Sequence, residues 1–294
     1  MSRFGVALGA FLGRVAFALG IRRRVALENL ARAFPERNRR ELSALARRAY
    51  AQLGRSLVEV ALAGSLSDAE LDELVRFEGW ERYQRARARG KGVVVAVAHF
   101  GNWELLARAC ARRGVLLTAI TRKLRGRANE RLLAARRKGG LRELPDKGST
   151  RAALELLRRG ETLAIVVDQN MLPRRGIFVD FFGVPACTTP AAAVLSLRSQ
   201  APLIAAFPVR AADGTHRVLV VGPFEAPPGL HGHAAVHALT QAVTRAVEDA
   251  VRAHPEQWFW VHRRWKTRPQ PSTPVAELKG KIQGEGERPG KNKA

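Results

Sequence analysis

Residues 93–104, VVVAVAHFGNWE, determine how the rest of the chain is organised. The run from Val93 to Ala98 contains only small and β-branched apolar residues, which is typical of a strand buried on both faces of a parallel sheet. From Glu104 onward, ELLARA predicts a helix. We therefore expect His99 at the carboxyl end of a central strand and Glu104 in the first turn of the next helix. Open α/β sheets bind their ligands at that edge.

The spacing of His99 and Glu104 predicts a catalytic pair. On one helix, positions five apart point in different directions, but across a strand–turn–helix corner the two side chains can meet. Glu104 would accept a hydrogen bond from one imidazole nitrogen and leave the other as a base. Gly101 permits a tight turn and Asn102 is a good helix N-cap. The alternative is a structural histidine followed by an ordinary first-turn acid.

The remaining pattern alternates strands with helices, which predicts an α/β fold with a mostly parallel central sheet flanked by helices. We predict strands at 93–98, 115–120, 142–144, 162–167 and 202–209, and an antiparallel strand at 217–221. We predict helices at 25–36, 40–63, 67–75, 79–89, 103–113, 126–138, 150–159, 190–199 and 234–253. A short extended piece is expected at 176–182.

Polar residues follow three of these strands, so they should converge at one edge of the sheet. Besides His99, they are Arg122 after the second strand and Asp168 with Gln169 after the fourth. Arg122 suits an oxyanion or a phosphate, or is simply a solvated arginine. Asp168 either orients Arg122 or forms a turn.

Two aromatic segments allow both a functional and a structural interpretation. Phe181, Phe182 and Gly183, with Thr188 shortly after, predict an exposed aromatic turn that lines a tunnel for an apolar chain, or a loop folded onto the core. The segment 258–266, WFWVHRRWK, mixes rings with bases such as Arg263. That mixture suits a membrane interface or stacked nucleic-acid bases, unless the rings simply complete the core.

The composition indicates an anionic partner. Fifty basic residues face 26 acidic ones, a net charge of +24. Residues 4–21 are apolar except for Arg14 and precede three arginines, which predicts a helix lying in the membrane interface or a short anchor. A soluble amphipathic helix is the alternative. We divide the chain into a membrane-associated helix (1–24), a catalytic domain (25–267) and a disordered basic tail (268–294).

Several classes of site are not predicted. The chain has no Gly-x-Ser-x-Gly elbow, no Walker loop and no dinucleotide glycine pattern. His231, His233 and His237 lack a suitably spaced acidic or cysteine partner, and the two cysteines, Cys110 and Cys187, lack metal-ligand spacing. We therefore expect no metal and no cofactor.

Taken together, these motifs resemble the late acyltransferases of lipid A biosynthesis, the lauroyl/myristoyl transferases of the lysophospholipid acyltransferase-like superfamily. His-x4-acid is shared by many glycerolipid acyltransferases. The fuller set adds ALENL at 26–30, FPE at 34–36, Thr121-Arg122, Asp168-Gln169, FFG at 181–183 and the terminal EQW…HRRWK, and covers residues 5–267.

The resemblance implies transfer of a fatty acyl group from acyl carrier protein or coenzyme A to a hydroxyl of an anionic phosphoglycolipid, at the cytoplasmic face of the inner membrane. His99 would be the general base and Glu104 its orienting acid. We predict the following substrate-binding residues: Asn102, Arg122, Asp168, Gln169, Phe181, Phe182, Gly183, Thr188 and Arg263.

Three alternatives remain open. A related enzyme could acylate another lipid, such as a phosphatidylinositol mannoside. A basic nucleic-acid-binding protein would use the charge and the aromatic segment, although no DNA- or RNA-reading module is visible, so we expect no nucleic acid. A lipid hydrolase would use the same histidine and release free fatty acid.

Overall fold

The computed structural model describes residues 3–63, 66–121, 134, 136, 137 and 139–269. Within them the helices are α1 (Arg3–Ala18), α2 (Arg23–Ala33), α3 (Arg39–Ala63), α4 (Asp68–Leu74), α5 (Trp80–Ala88), α6 (Trp103–Arg112), α7 (Thr150–Arg158), α8 (Ala191–Ser199) and α9 (Gly232–Ala253). The strands are β1 (Val75–Glu78), β2 (Val93–Val97), β3 (Leu117–Thr121), β4 (Arg142–Pro145), β5 (Thr162–Val166), β6 (Ile177–Phe181), β7 (Val184–Thr188), β8 (Leu203–Arg210) and β9 (His216–Phe224).

Seven strands form one mixed sheet in the order β1-β9-β8-β2-β5-β3-β4. Only β8 and β9 pair antiparallel, across the short turn that the sequence predicted, and the other pairs are parallel. All five residues of β2 are buried, as expected for a central strand covered on both faces. The predicted α/β class with a mostly parallel central sheet is therefore confirmed.

Two strands were missed by the sequence analysis. β1 is a four-residue strand at the sheet edge, and it fills the gap between the predicted helices 67–75 and 79–89. β7 pairs with β6 in a separate antiparallel hairpin, so the predicted extended piece is one half of a two-stranded unit. Short strands with little alternation carry a weak sequence signal. Most of the predicted helix 126–138, and the predicted tail from residue 270 onward, lie outside the described residues.

The amino-terminal helix packs tightly on α3. A side chain at Gly9 or Gly54 would overlap the backbone of the facing helix, because the two helices cross at these glycines. The opposite face of α1 is exposed and apolar, with Phe4 at 79% and Phe11 at 58% exposure. Leu8 and Leu12 extend that face.

No single described helix is long and apolar enough to cross a membrane. Taken together, Phe4–Ala18 and Arg23–Ala33 pass the same test of length and composition, but they meet at a bend of 92°.

Candidate active site

The register of two neighbouring strands brings His99 beside Asp168. Val97 of β2 pairs with Val166 of β5, and each functional residue follows its strand partner by two positions. The His99 backbone N–H donates to Asp168 Oδ2 at 2.9 Å, and His99 Nδ1 lies 2.8 Å from Asp168 Oδ1. Because a carboxylate only accepts, Nδ1 carries the proton and Nε2 is left with its lone pair.

Asp168 is ionised and fully enclosed. Its side chain is 2% exposed, and Oδ2 also accepts a 2.8 Å hydrogen bond from the Trp258 indole. Burial alone would raise the pKa of Asp168, but the charge of His99 and the hydrogen bonds from His99 and Trp258 lower it below its usual value. The carboxylate therefore holds the imidazole in one orientation with one tautomer.

The second imidazole nitrogen has a polar neighbour, and His99 lines a small cavity. Gln169 Nε2 lies 3.2 Å from His99 Nε2 and can donate to it. Trp103 and Phe259 contact the imidazole ring at centroid distances of 5.1 and 5.8 Å. Burial disfavours a charged imidazole, but the Asp168 carboxylate outweighs burial and raises the pKa of His99 above its ordinary value.

Glu104 does not orient His99 through a hydrogen bond. It lies in the first turn of α6, as predicted, but its carboxylate accepts from Arg136, with Nε at 2.8 Å, and from the Trp103 indole at 3.0 Å. The predicted hydrogen bond from His99 to Glu104 is therefore wrong, and Asp168 takes that position. Glu104 acts on His99 only as a nearby negative charge that raises the imidazole pKa.

The corner after β2 is shaped by Gly101 and Asn102. Gly101 has φ = 56°, and a side chain there would overlap the Pro208 carbonyl, so the predicted tight turn is confirmed. Asn102 occupies the N-cap position of α6, but its side chain makes no capping hydrogen bond. Its amide instead donates to the fully buried Glu59 of α3 at 3.1 Å. Asn102 therefore anchors the corner to α3.

The carboxyl-terminal segment forms the wall behind this corner. Gly101 N–H donates to the Gln257 carbonyl, and Phe259 N–H donates to the His99 carbonyl. Trp258 and Trp260 are 3% and 1% exposed. The predicted exposure of these rings to a membrane or to nucleic-acid bases is therefore wrong, and the alternative, that they complete the core, is confirmed.

Buried aromatic packing also replaces the predicted exposed turn before β7. Phe181 is 1% and Phe182 7% exposed, and only Gly183 of that turn is exposed. Thr188 is fully buried and accepts a hydrogen bond from Arg264. These side chains support the core, as the alternative interpretation held.

Of the two arginines predicted to bind substrate, the structure describes only Arg263. Arg263 is exposed, and its buried neighbour Arg264 donates instead to the carbonyls of Gln169 and Cys187. Arg122 lies outside the described residues, so its role stays a prediction.

Sequence reasoning missed Trp258 as a partner of Asp168 and Arg136 as a partner of Glu104. No spacing rule connects residues that are 90 or 32 positions apart. The only signal for Trp258 was its place in the terminal motif that carried the family resemblance.

The model of the family described as "Bacterial lipid A biosynthesis acyltransferase" matches residues 3–267. The chain belongs to this family. It is therefore an acyltransferase that acts on a glycolipid.

Curated members of the lipid A acyltransferase family align over most of the chain. The lipid A biosynthesis palmitoleoyltransferase of Escherichia coli (strain K12) is 28% identical over 268 residues, covering 89% of this chain and 85% of its own length. The lauroyltransferase of the same organism is 28% identical over 276 residues, with 90% and 85% covered. A phosphatidylinositol mannoside acyltransferase of Mycobacterium tuberculosis (strain ATCC 25618 / H37Rv) is 26% identical over 201 residues, with 67% and 61% covered. The two lipid A enzymes thus align over a larger share of this chain than the phosphatidylinositol mannoside acyltransferase does.

Proposed function

We propose that this chain transfers a fatty acyl group from a thioester, carried by acyl carrier protein or coenzyme A, to a hydroxyl of a lipid A-type phosphoglycolipid. The hydrogen-bonded pair of His99 and Asp168 at the carboxyl end of β2 carries the proposal. A base of this kind is what an alcohol needs to attack a thioester at neutral pH.

The proposed reaction moves one proton and one acyl group. His99 Nε2 takes the acceptor hydroxyl proton while the alkoxide oxygen attacks the thioester carbonyl carbon. The tetrahedral intermediate collapses, the carbon–sulfur bond breaks, and the thiolate takes the proton from the imidazolium. Asp168 stabilises the imidazolium between these steps. No step changes an oxidation state and His99 supplies the base, so we expect the reaction to need no metal or redox cofactor.

Two neighbours of His99 would take part in binding. The Gln169 amide now occupies the position on Nε2 that the acceptor hydroxyl must take, so substrate binding displaces that amide. Arg122 remains our candidate for stabilising the oxyanion or holding a phosphate.

The surface supports a membrane-bound, anionic substrate. The chain carries a net charge of +24, which suits an acidic carrier protein and a phosphorylated lipid. The exposed apolar face of α1, followed by the arginines at 22–24, suits a helix lying in the interface of an anionic bilayer. We therefore place the enzyme on the cytoplasmic face of the inner membrane. Trp258, Trp260 and Trp265 are buried, so these rings offer no stacking surface to nucleic-acid bases.

The test is acyl transfer by purified His99→Ala, with products identified by mass spectrometry. Loss of the base should reduce kcat/KM on the order of 10²–10⁴-fold. His233→Ala is the matched control, because His233 is an exposed histidine in the first turn of α9.

The same assay separates the alternatives. Transfer to phosphatidylinositol mannoside but not to a lipid A precursor would replace the proposed acceptor. Release of free fatty acid without acylated lipid would indicate a hydrolase. Near-normal transfer by His99→Ala would refute the proposed mechanism.

A further inference from the structure

Two arginines flank the glycine crossing of α1 and α3. The backbone nitrogen of Gly13 lies 3.1 Å from the Cβ position of Gly54. Arg14 and Arg55 are the residues that follow these two glycines, so both guanidinium groups start from the same crossing. Arg14 is exposed and Arg55 is half-buried. An arginine within an otherwise apolar amino-terminal helix had no explanation in the sequence.

Positive charge exceeds negative charge at this crossing. Arg210 Nε donates to the buried carboxylate of Glu59 at 2.8 Å, one turn beyond Arg55 on α3. Burial, and then the positive charges of Arg210 and Arg14, lower the pKa of Arg55. Among the described residues, neither Arg14 nor Arg55 forms an ion pair with a carboxylate. The negative charge of Glu59 acts on Arg55, but Arg210 already holds that carboxylate, so three arginines share one negative charge.

An unpaired hydrogen-bond donor connects this cluster with the catalytic cavity. Arg55 Nη1 donates to Gln52 Oε1, at 3.4 Å, but Gln52 Nε2 has no hydrogen-bond partner among the described residues. Gln52 is 6% exposed. With Ser56 and His99 it lines the cavity between α3 and the carboxyl-terminal segment. A buried unpaired amide is costly, and it points to a polar ligand. Glu256 lines another wall of that cavity.

We propose that Arg14, Arg55 and the Gln52 amide form a subsite for a phosphate ester carried on a lipid, with Arg210 adding to its positive field. Guanidinium groups bind phosphate through paired, charge-assisted hydrogen bonds. The subsite borders the exposed apolar face of α1, where Phe11 lies three residues from Arg14. A lipid whose chains lie along that face would place its headgroup at the arginines.

The phosphate has two possible sources. It is either a phosphate of the acceptor glycolipid, in which case the inference rests on the proposed function, or the headgroup of an anionic phospholipid around the enzyme. Both share the same chemistry, and two measurements separate them.

The first measurement compares acyl transfer to a phosphoglycolipid with transfer to the same lipid after phosphatase treatment. For an acceptor phosphate, Arg55→Gln and Arg14→Gln each lower the ratio of the two kcat/KM values about tenfold, as expected for one lost charge-assisted hydrogen bond. Arg47→Gln is the matched control, because Arg47 is an exposed arginine of the same helix. Its ratio stays at the wild-type value.

The second measurement is sedimentation with phosphatidylcholine vesicles, with and without phosphatidylglycerol. For a bulk headgroup, Arg55→Gln and Arg14→Gln weaken binding only to the phosphatidylglycerol vesicles, and more than Arg47→Gln does. Vesicle sedimentation needs no catalytic turnover. It therefore tests the phosphate subsite even if the wild-type protein transfers no acyl group and the proposed function fails.

Equal behaviour of all three variants in both measurements would overturn the subsite. The subsite would also be overturned if the variants lost activity equally on the phosphorylated and the dephosphorylated acceptor and bound pure phosphatidylcholine vesicles more weakly. Arg14 is exposed, and thermal melting of Arg14→Gln and Arg55→Gln checks that both variants fold.

Discussion

Two regions of the molecule each place a carboxylate near His99, and they differ in what holds it. At the end of β5, Asp168 is 2% exposed and hydrogen-bonds the imidazole, the His99 backbone and the Trp258 indole. In the first turn of α6, Glu104 is 13% exposed and is bound by Arg136 and the Trp103 indole. Proximity in sequence favours Glu104 as the hydrogen-bond partner of His99, whereas strand register favours Asp168. The comparison shows that the order of strands in the sheet decides which acid hydrogen-bonds the imidazole of His99.

The largest expected effect is that of Asp168→Asn. The variant should lose acyl transfer on the order of 10²–10⁴-fold, because the imidazole loses its tautomer and the charge that stabilises its protonated form. Asp168 raises the pKa of His99, and in the proposed mechanism His99 acts as a base only when neutral. Removing Asp168 therefore moves the acidic limb of the kcat/KM pH profile to lower pH.

The control for Asp168→Asn is Asp249→Asn, an exposed aspartate on α9. An acidic limb that stays in place after Asp168→Asn would show that Asp168 does not set the protonation of the base.

A smaller effect is expected from breaking the ion pair of Glu104 with Arg136. Glu104→Gln and Arg136→Gln should each lower the free energy of unfolding by about 1–3 kcal/mol, because each breaks a partly buried ion pair. Arg136 keeps Glu143 as a second partner after Glu104→Gln. Their activity losses should be similar, smaller than that of Asp168→Asn, and not additive in the double variant. Chemical denaturation and steady-state kinetics on the four-protein cycle measure both quantities.

The pH profile sharpens the same contrast. Glu104 raises the pKa of His99 by charge alone, so Glu104→Gln should move the acidic limb to lower pH by less than Asp168→Asn does. A larger shift for Glu104→Gln would reverse our assignment of the two acids.

The smallest effect is expected from Trp258→Phe. Losing the indole donor leaves more negative charge on Asp168, so the imidazolium is held more tightly and the acidic limb moves to higher pH by a fraction of a unit. We expect kcat/KM to fall by less than tenfold.

Trp260→Phe is the matched control for Trp258→Phe. Trp260 is equally buried and donates its indole N–H to the Pro255 carbonyl instead of to Asp168. Trp260→Phe should destabilise the fold to a similar extent without moving the acidic limb of the pH profile. If both variants moved the acidic limb of the pH profile equally, the shift would result from altered core packing and not from the lost hydrogen bond to Asp168.

Local pattern was enough to predict much of the fold. The buried run of β2, the amphipathic α6 and the antiparallel turn into β9 each follow from neighbouring residues. The sequence also placed Asp168 at the correct sheet edge. It could not give Asp168 its partner, because β5 lies beside β2 although β3 and β4 come between them along the chain.

Composition was a poor guide to the aromatic segments. Rings interspersed with arginines predict an interface, yet Trp258, Trp260 and Trp265 are all buried. The two neighbouring arginines differ in exposure: Arg263 is exposed, whereas Arg264 is buried and donates to backbone carbonyls. Which residue of a pair points inward depends on the path of an irregular segment, and irregular segments have no fixed period.

The glycine crossing restricts how the amino-terminal helix can vary. At Gly9, Gly13 and Gly54 even a methyl group would force the two backbones apart. An arbitrary hydrophobic helix of the same length therefore cannot substitute for α1, however well it suits a bilayer. Swapping this segment between homologous enzymes would succeed only where the donor also keeps minimal side chains at the crossing, so α1 and the facing part of α3 must change together.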